Sequence, residues 1–255
     1  MADENGNNPY QVPTVDVLGK ASSGEFSATP RQVPAGNGAQ WIGDAWRLFK
    51  QAPGQMILLF VLYMIITMVL GFIPLVNFIS PLFTMVFMGG VFIAIHRLDT
   101  EGELRVDDLF AAFKTHLTPL ILLGLLLLGV AVVIGGLVVV VGLGTVLGSE
   151  GTPTQTSMLI LALMVAVGLG LFFMLYFTVF YAVLLVVAGN QPLASALGNA
   201  FSAFVKNWLP FLVNGIIASV ISIIAMIPLF LGVLISGPLL FASMYCSYKD
   251  IFAAE

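Results

Sequence analysis

The chain has 255 residues, of which 59% are hydrophobic and 9% charged. A soluble domain carries about 25% charged residues, so nine basic and thirteen acidic side chains cannot cover a water-facing surface of this size. A net charge of -4 and an isoelectric point near 5.0 exclude the basic stripe that nucleic-acid binding needs.

Residues 1–37 are rich in Asn, Pro, Gly, Ser and Thr and lack the apolar core of a signal peptide. Such a stretch cannot bury enough surface to offset its ordering entropy, so it is expected to be a disordered cytoplasmic tail. It contains NPYQVP, Asn8 to Pro13, which reads either as polar linker or as an extended docking motif for a protein partner.

Residues 38–255 are expected to form an all-α membrane domain. Uncharged runs of 46, 35, 55 and 42 residues begin at Gln51, Thr115, Gly151 and Asn207. A helix crosses the hydrocarbon core with about 20 apolar residues, which places six transmembrane helices at roughly 54–73, 78–97, 118–147, 157–188, 209–229 and 232–252. The third and fourth exceed the core thickness and are expected to tilt or project. All nine Lys and Arg residues fall on one side of this arrangement, so both termini are expected in the cytoplasm.

A short amphipathic segment precedes each pair of spans. Trp41, Ala45, Leu48 and Phe49 recur at helical spacing in 41–50, Val106, Leu109, Phe110 and Phe113 in 103–116, and Leu193, Leu197, Phe201 and Phe204 in 193–206. Ungapped alignment superposes Phe49, Phe113 and Phe204, each followed by a lysine and a proline. The chain therefore reads as three parallel repeats, about 40–98, 104–190 and 193–252, each an interfacial helix followed by a hairpin. Trp41, Trp46, Phe49, Phe113, Phe204 and Trp208 are the expected anchors in the headgroup zone.

Few residues offer chemistry. The uncharged runs hold no Asp or Glu to relay protons, and His96 and His116 have no HExxH spacing or cysteine partner. No catalytic, cofactor-binding or metal-binding residue is expected, and no cofactor. A buried amide must find partners, so Asn77 and Asn214, with Tyr176 and Tyr181, are candidates to line a polar path. The alternative is that they bond helix to helix. Ala162, Ala166 and Gly170, and likewise Gly90 and Ala94, give small-residue faces for close helix contact. The acidic group Asp99, Glu101, Glu103, Asp107 and Asp108 reads as helix capping on a solvated loop.

With the NPYQVP tail, the Trp41, Trp46, Phe49 helix, the IPLVNFISPLF turn from Ile73 and the terminal YCSYKDIF in view, residues 40–252 resemble a proteobacterial family of hypothetical six-span inner-membrane proteins. More distantly they are similar to the membrane domain joined to some glycerophosphodiester phosphodiesterases, without its catalytic domain, and to Yip-type helical bundles. The resemblance implies a bacterial cytoplasmic membrane and carries no catalytic residue over. The expected protein is a non-enzymatic structural or accessory membrane protein, with membrane lipids as partners. The alternative is a carrier for a lipid-like or small apolar solute.

Overall fold

A computed structural model describes Ser27 and residues 29–147, 154–227 and 231–252. Among these residues every regular element is helical. Helix α1 (Asn37–Phe49) buries Trp41, Ala45, Leu48 and Phe49, the face expected from their spacing. Pro53 opens α2 (Pro53–Phe72) at a position where a missing N–H leaves no hydrogen bond unmade. Ile73 is extended before Pro74, which stops α2 and starts the short α3 (Pro74–Asn77). Helix α4 (Ser80–Glu101) ends at Gly102, whose φ of 75° lies in the left-handed region that glycine adopts without a Cβ clash. A 3-10 turn (Val106–Phe110) and α5 (Ala111–Thr115) follow, then α6 (Leu117–Leu147), α7 (Gln155–Val187), α8 (Leu193–Lys206), α9 (Trp208–Met226) and α10 (Val233–Ile251).

Helices α2, α4, α6, α7 and α9 are long and apolar enough to cross a membrane. Helix α10 has a similar length, 19 residues, but carries serines, tyrosines, Lys249 and Asp250. Its serines and tyrosines face protein: Ser236, Ser243, Tyr245, Ser247 and Tyr248 are all buried, whereas Lys249 at the helix end is exposed.

The core forms where α4, α7 and α10 touch one another. Each contributes one phenylalanine to a triangle: Phe92 lies 5.7 Å from both Phe180 and Phe241, and Phe180 lies 6.1 Å from Phe241, centroid to centroid. Two residues beyond each phenylalanine stands a small, buried side chain, Ala94, Ala182 or Ser243. At i+2 each lies on the helix face away from the triangle, and Ser243 accepts from Asn214 of α9. The outer helices α2, α6 and α9 leave Met68, Val140 and Ile223 more than half exposed, as a lipid-facing surface would.

Each short amphipathic segment rests on the inner helix that precedes it in the repeat order. The 3-10 turn and α5 rest on α4, α8 rests on α7, and α1 closes the cycle on α10. Phe113 meets Phe87 of α4 at 5.0 Å, and Phe204 meets Phe177 of α7 at 4.9 Å. Phe49 is buried and stacks on Trp46 at 5.5 Å. The amphipathic faces are those expected, but their partners differ. Trp41 and Phe49 are buried against protein rather than set in a headgroup layer, because α1 has α9 and α10 to cover its apolar face. Trp46 and Trp208 do remain exposed, at 44% and 58%.

Two further expectations change. Ser27 and residues 29–36 are not a free tail. Ser27 and Arg31 donate backbone N–H groups to the Phe252 and Ile251 carbonyls, and the Val33 N–H donates to Asn207 Oδ1 at 2.8 Å. Backbone bonding and the burial of Val33 supply what composition did not promise; NPYQVP lies outside the described residues. Ala162, Ala166 and Gly170 are exposed and make no close helix contact among the described residues. At 1.5 Å per residue, α6 and α7 run about 46–50 Å against a core of about 30 Å, so their far halves extend beyond the other helices. Gly90 does act as expected: a Cβ there would overlap the backbone carbonyl of Leu109.

Candidate functional site

Charged side chains gather where α1, the C-terminal ends of α4 and α10, and the docked segment meet. Asp250, near the end of α10, is the hub. Its carboxylate accepts from Arg31 Nη2 at 2.9 Å, Asn37 Nδ2 at 2.7 Å and Trp41 Nε1 at 2.9 Å. Arg31 Nε also donates to the Asp250 backbone carbonyl at 2.7 Å. One residue earlier, Lys249 Nζ reaches both carboxylate oxygens of Asp99, at 3.0 and 2.7 Å. Asp99 accepts a third bond, 2.9 Å, from the hydroxyl of Tyr245. Since that hydroxyl spends its proton on Asp99, His96 Nδ1, 2.9 Å away, carries the proton between the two. The result is a chain from His96 through Tyr245 and Asp99 to Lys249.

Beside this chain lies an open cavity of about 560 Å³. Its inner wall is Arg31, Trp41, Asp99, Cys246, Lys249 and Asp250; its outer wall is Gln40, Asp44, Arg47, Leu48 and Gln51 of α1 and the residues just after it. Asp44 and Arg47 pair across one turn of α1.

A second polar cluster joins the same C-terminal end of α4 to the 3-10 turn. Arg97 Nη1 donates to Asp108 Oδ1 at 2.7 Å, and Arg97 Nε lies 3.6 Å from Glu101 Oε2. Asp108 is buried, and its Oδ2 has no partner among the described residues. Burial pushes the Asp108 carboxyl above its ordinary value, and Arg97 only partly opposes this.

The residues expected to line a polar path are not brought together. Asn214 is buried between helices, where its amide donates to the Gly38 carbonyl at 3.1 Å and to Ser243 Oγ at 2.7 Å. Tyr181 is fully buried, with Ser247 Oγ 3.3 Å from its hydroxyl. Tyr176 is 43% exposed and borders a side groove of about 290 Å³ with Ser80, Thr84 and Phe172. Asn77 ends α3, and its side chain lies outside the described residues. Of the expected anchors, Phe204 and Trp208 border a shallow apolar groove of about 670 Å³ along α9, with Phe211, Gly215 and Ser219.

Sequence reasoning missed Arg31, Asp99, Asn207, Tyr245 and Asp250. The one available signal was that Lys249 and Asp250 end an otherwise uncharged run, in register with Asp99 at the end of another. Fully buried Asn207 accepts from Val33 and donates to the Arg31 carbonyl at 2.9 Å, holding the docked segment.

The fold is that of a multi-pass helical membrane protein, with five helices of spanning length and apolarity among the described residues. No family model, curated protein or solved structure matches the chain.

Proposed function

We propose that the chain is a non-enzymatic structural or accessory protein of a bacterial cytoplasmic membrane, with six spans and both termini in the cytoplasm. The sixth span in this reading is α10, whose polar groups are sheltered by α1, α4 and α7. The orientation rests on the one-sided distribution of Lys and Arg. The membrane assignment rests on the resemblance to proteobacterial six-span proteins.

The observation that carries the functional reading is how the polar groups of the helices are spent. Thr67, Thr84, Thr178, Ser219 and Ser222 each donate to the carbonyl four residues earlier in their own helix. Asn214 and Ser243 satisfy each other across α9 and α10. Hydroxyl protons spent within their own helix are not offered to a solute, and the Asn214–Ser243 bond holds α9 to α10, so among the described residues these groups form no row of free donors. The test is a map of water-accessible positions along α9 and α10. Isolated accessible points support the structural reading; a continuous accessible stripe through Asn214 and Ser243 overturns it.

A carrier for a lipid-like or apolar solute is the second reading, favoured by the groove along α9. Its lining from Trp208 to Val220 covers about 18 Å of helix, close to the roughly 15 Å depth of one leaflet. Transfer of a fluorescent lipid between vesicles, faster with the protein than without, would support it.

A further inference from the structure

The geometry points to the 560 Å³ cavity between α1 and α10 as a binding site for a phosphate-bearing anion, either free or as the headgroup of a lipid. This goes beyond the structural reading and does not depend on it.

The inference rests on counting donors and acceptors. The two acids of the inner wall are nearly saturated. Asp250 accepts three side-chain bonds and Asp99 accepts three, of about four lone-pair sites each. The cations beside them are not. Arg31 uses Nε and one proton of Nη2, which leaves Nη1 without a partner among the described residues. Lys249 has two bonds to Asp99 and a third proton without a partner among the described residues. Arg47 is 74% exposed and bonds only Asp44 there, and the Gln40 and Gln51 amides bond nothing described. The wall thus neutralises its own acids and presents surplus N–H donors. Planar guanidinium forks beside an ammonium suit a phosphate, which takes bidentate bonds and a point charge together.

The cavity's size supports a ligand larger than a bare ion. Small-molecule sites run about 300–1,000 Å³, and this one is open on the side where Gln40 and Gln51 can bond hydroxyls or ester oxygens. Asp44 is the one wall acid with most of its acceptor capacity unused, and it competes for Arg47. That competition makes a signed test available.

The test is binding of inorganic phosphate by the full-length protein in detergent, and binding of the protein in nanodiscs of phosphatidylcholine with or without phosphatidylglycerol. Three variants are compared: Arg47→Gln, Lys249→Gln and Asp44→Asn. Exposed charge pairs contribute little to folding, so Arg47→Gln and Asp44→Asn keep the fold. Arg47→Gln should weaken phosphate binding about threefold and Asp44→Asn should strengthen it about threefold, the scale of partly exposed charge contacts. Lys249→Gln should weaken it about tenfold. Phosphate binding in detergent identifies a free anion; binding only with phosphatidylglycerol identifies a lipid headgroup. No binding in either setting, or Asp44→Asn weakening while Arg47→Gln strengthens, overturns the proposal.

Discussion

Trp41 donates its indole N–H to the carboxylate of Asp250 at 2.9 Å, across a separation of 209 residues. The bond joins the first helix of the bundle to the last and lies beside the Arg31 bond that docks the N-terminal segment. Asp250→Asn should therefore loosen α1, α10 and the docked segment at once. Hydrogen bonds to a charged group contribute about 1.5–3 kcal/mol each, not additively, so a loss of about 2–3 kcal/mol is expected. Trp41→Phe removes one bond, keeps most of the ring, and should cost about 1 kcal/mol less. Thermal unfolding in detergent checks both, and removal of residues through Gly36 should destabilise to a similar degree as Asp250→Asn.

Glycines at helix crossings supply a second prediction. A Cβ at Gly38 would overlap the Pro210 carbonyl, and one at Gly90 the Leu109 carbonyl, whereas Gly43 of α1 has open space around it. Gly38→Ala and Gly90→Ala should each destabilise by about 1–3 kcal/mol through overpacking. Gly43→Ala should be neutral or slightly stabilising, because alanine favours a helix interior. Equal unfolding temperatures for the three variants would show that these crossings are not tight.

The raised pKa of Asp108 predicts an unusual pH slope. Below the ordinary value of 3.8 the carboxyl is protonated in both folded and unfolded chains. As pH rises past that value the unfolded chain releases its proton first, so this site's contribution to stability falls until the native carboxyl also ionises. Asp108→Asn should be at least as stable as the parent at pH 7, with the gap closing as pH falls toward about 4. A variant that is less stable at pH 7 would mean that the Arg97 ion pair outweighs burial.

Reporter fusions test the orientation. Fusions after Asn77, Gly151 and Gly232 should be periplasmic, and those after Glu101, Gln191 and Glu255 cytoplasmic. A cytoplasmic signal at Gly151 would contradict the six-span arrangement, since α6 and α7 would then each begin and end on the same side of the membrane.

Local features were legible in the sequence and distant ones were not. The bounds of α2 fell within a residue of the expected span 54–73, and the buried face of α1 followed from the spacing of Trp41, Ala45, Leu48 and Phe49, whereas α4 runs four residues past the expected end at 97 to the Gly102 cap. Periodicity reports which face is apolar, not what covers it. It therefore could not distinguish a headgroup layer from α10 as the cover for Trp41, nor show that Ala162 and Ala166 face away from the bundle. The cavity was illegible for the same reason: Arg31, Asp99 and Lys249 are far apart in the chain, and three helix ends bring them together. Length alone exposed α6 and α7 as longer than a membrane core, which the structure repeats.

In the proposed structural role, α4, α7 and α10 close around Phe92, Phe180 and Phe241 and leave no aqueous path. The most direct measurement is thiol labelling in intact cells. Single cysteines replace each of the three phenylalanines in a Cys246→Ser background, and a small charged thiol reagent is applied from either side. All three positions should stay unlabelled in the folded protein and react after denaturation. Labelling of all three in the native state, at rates near those of a loop position, would contradict the closed core and favour a solute path.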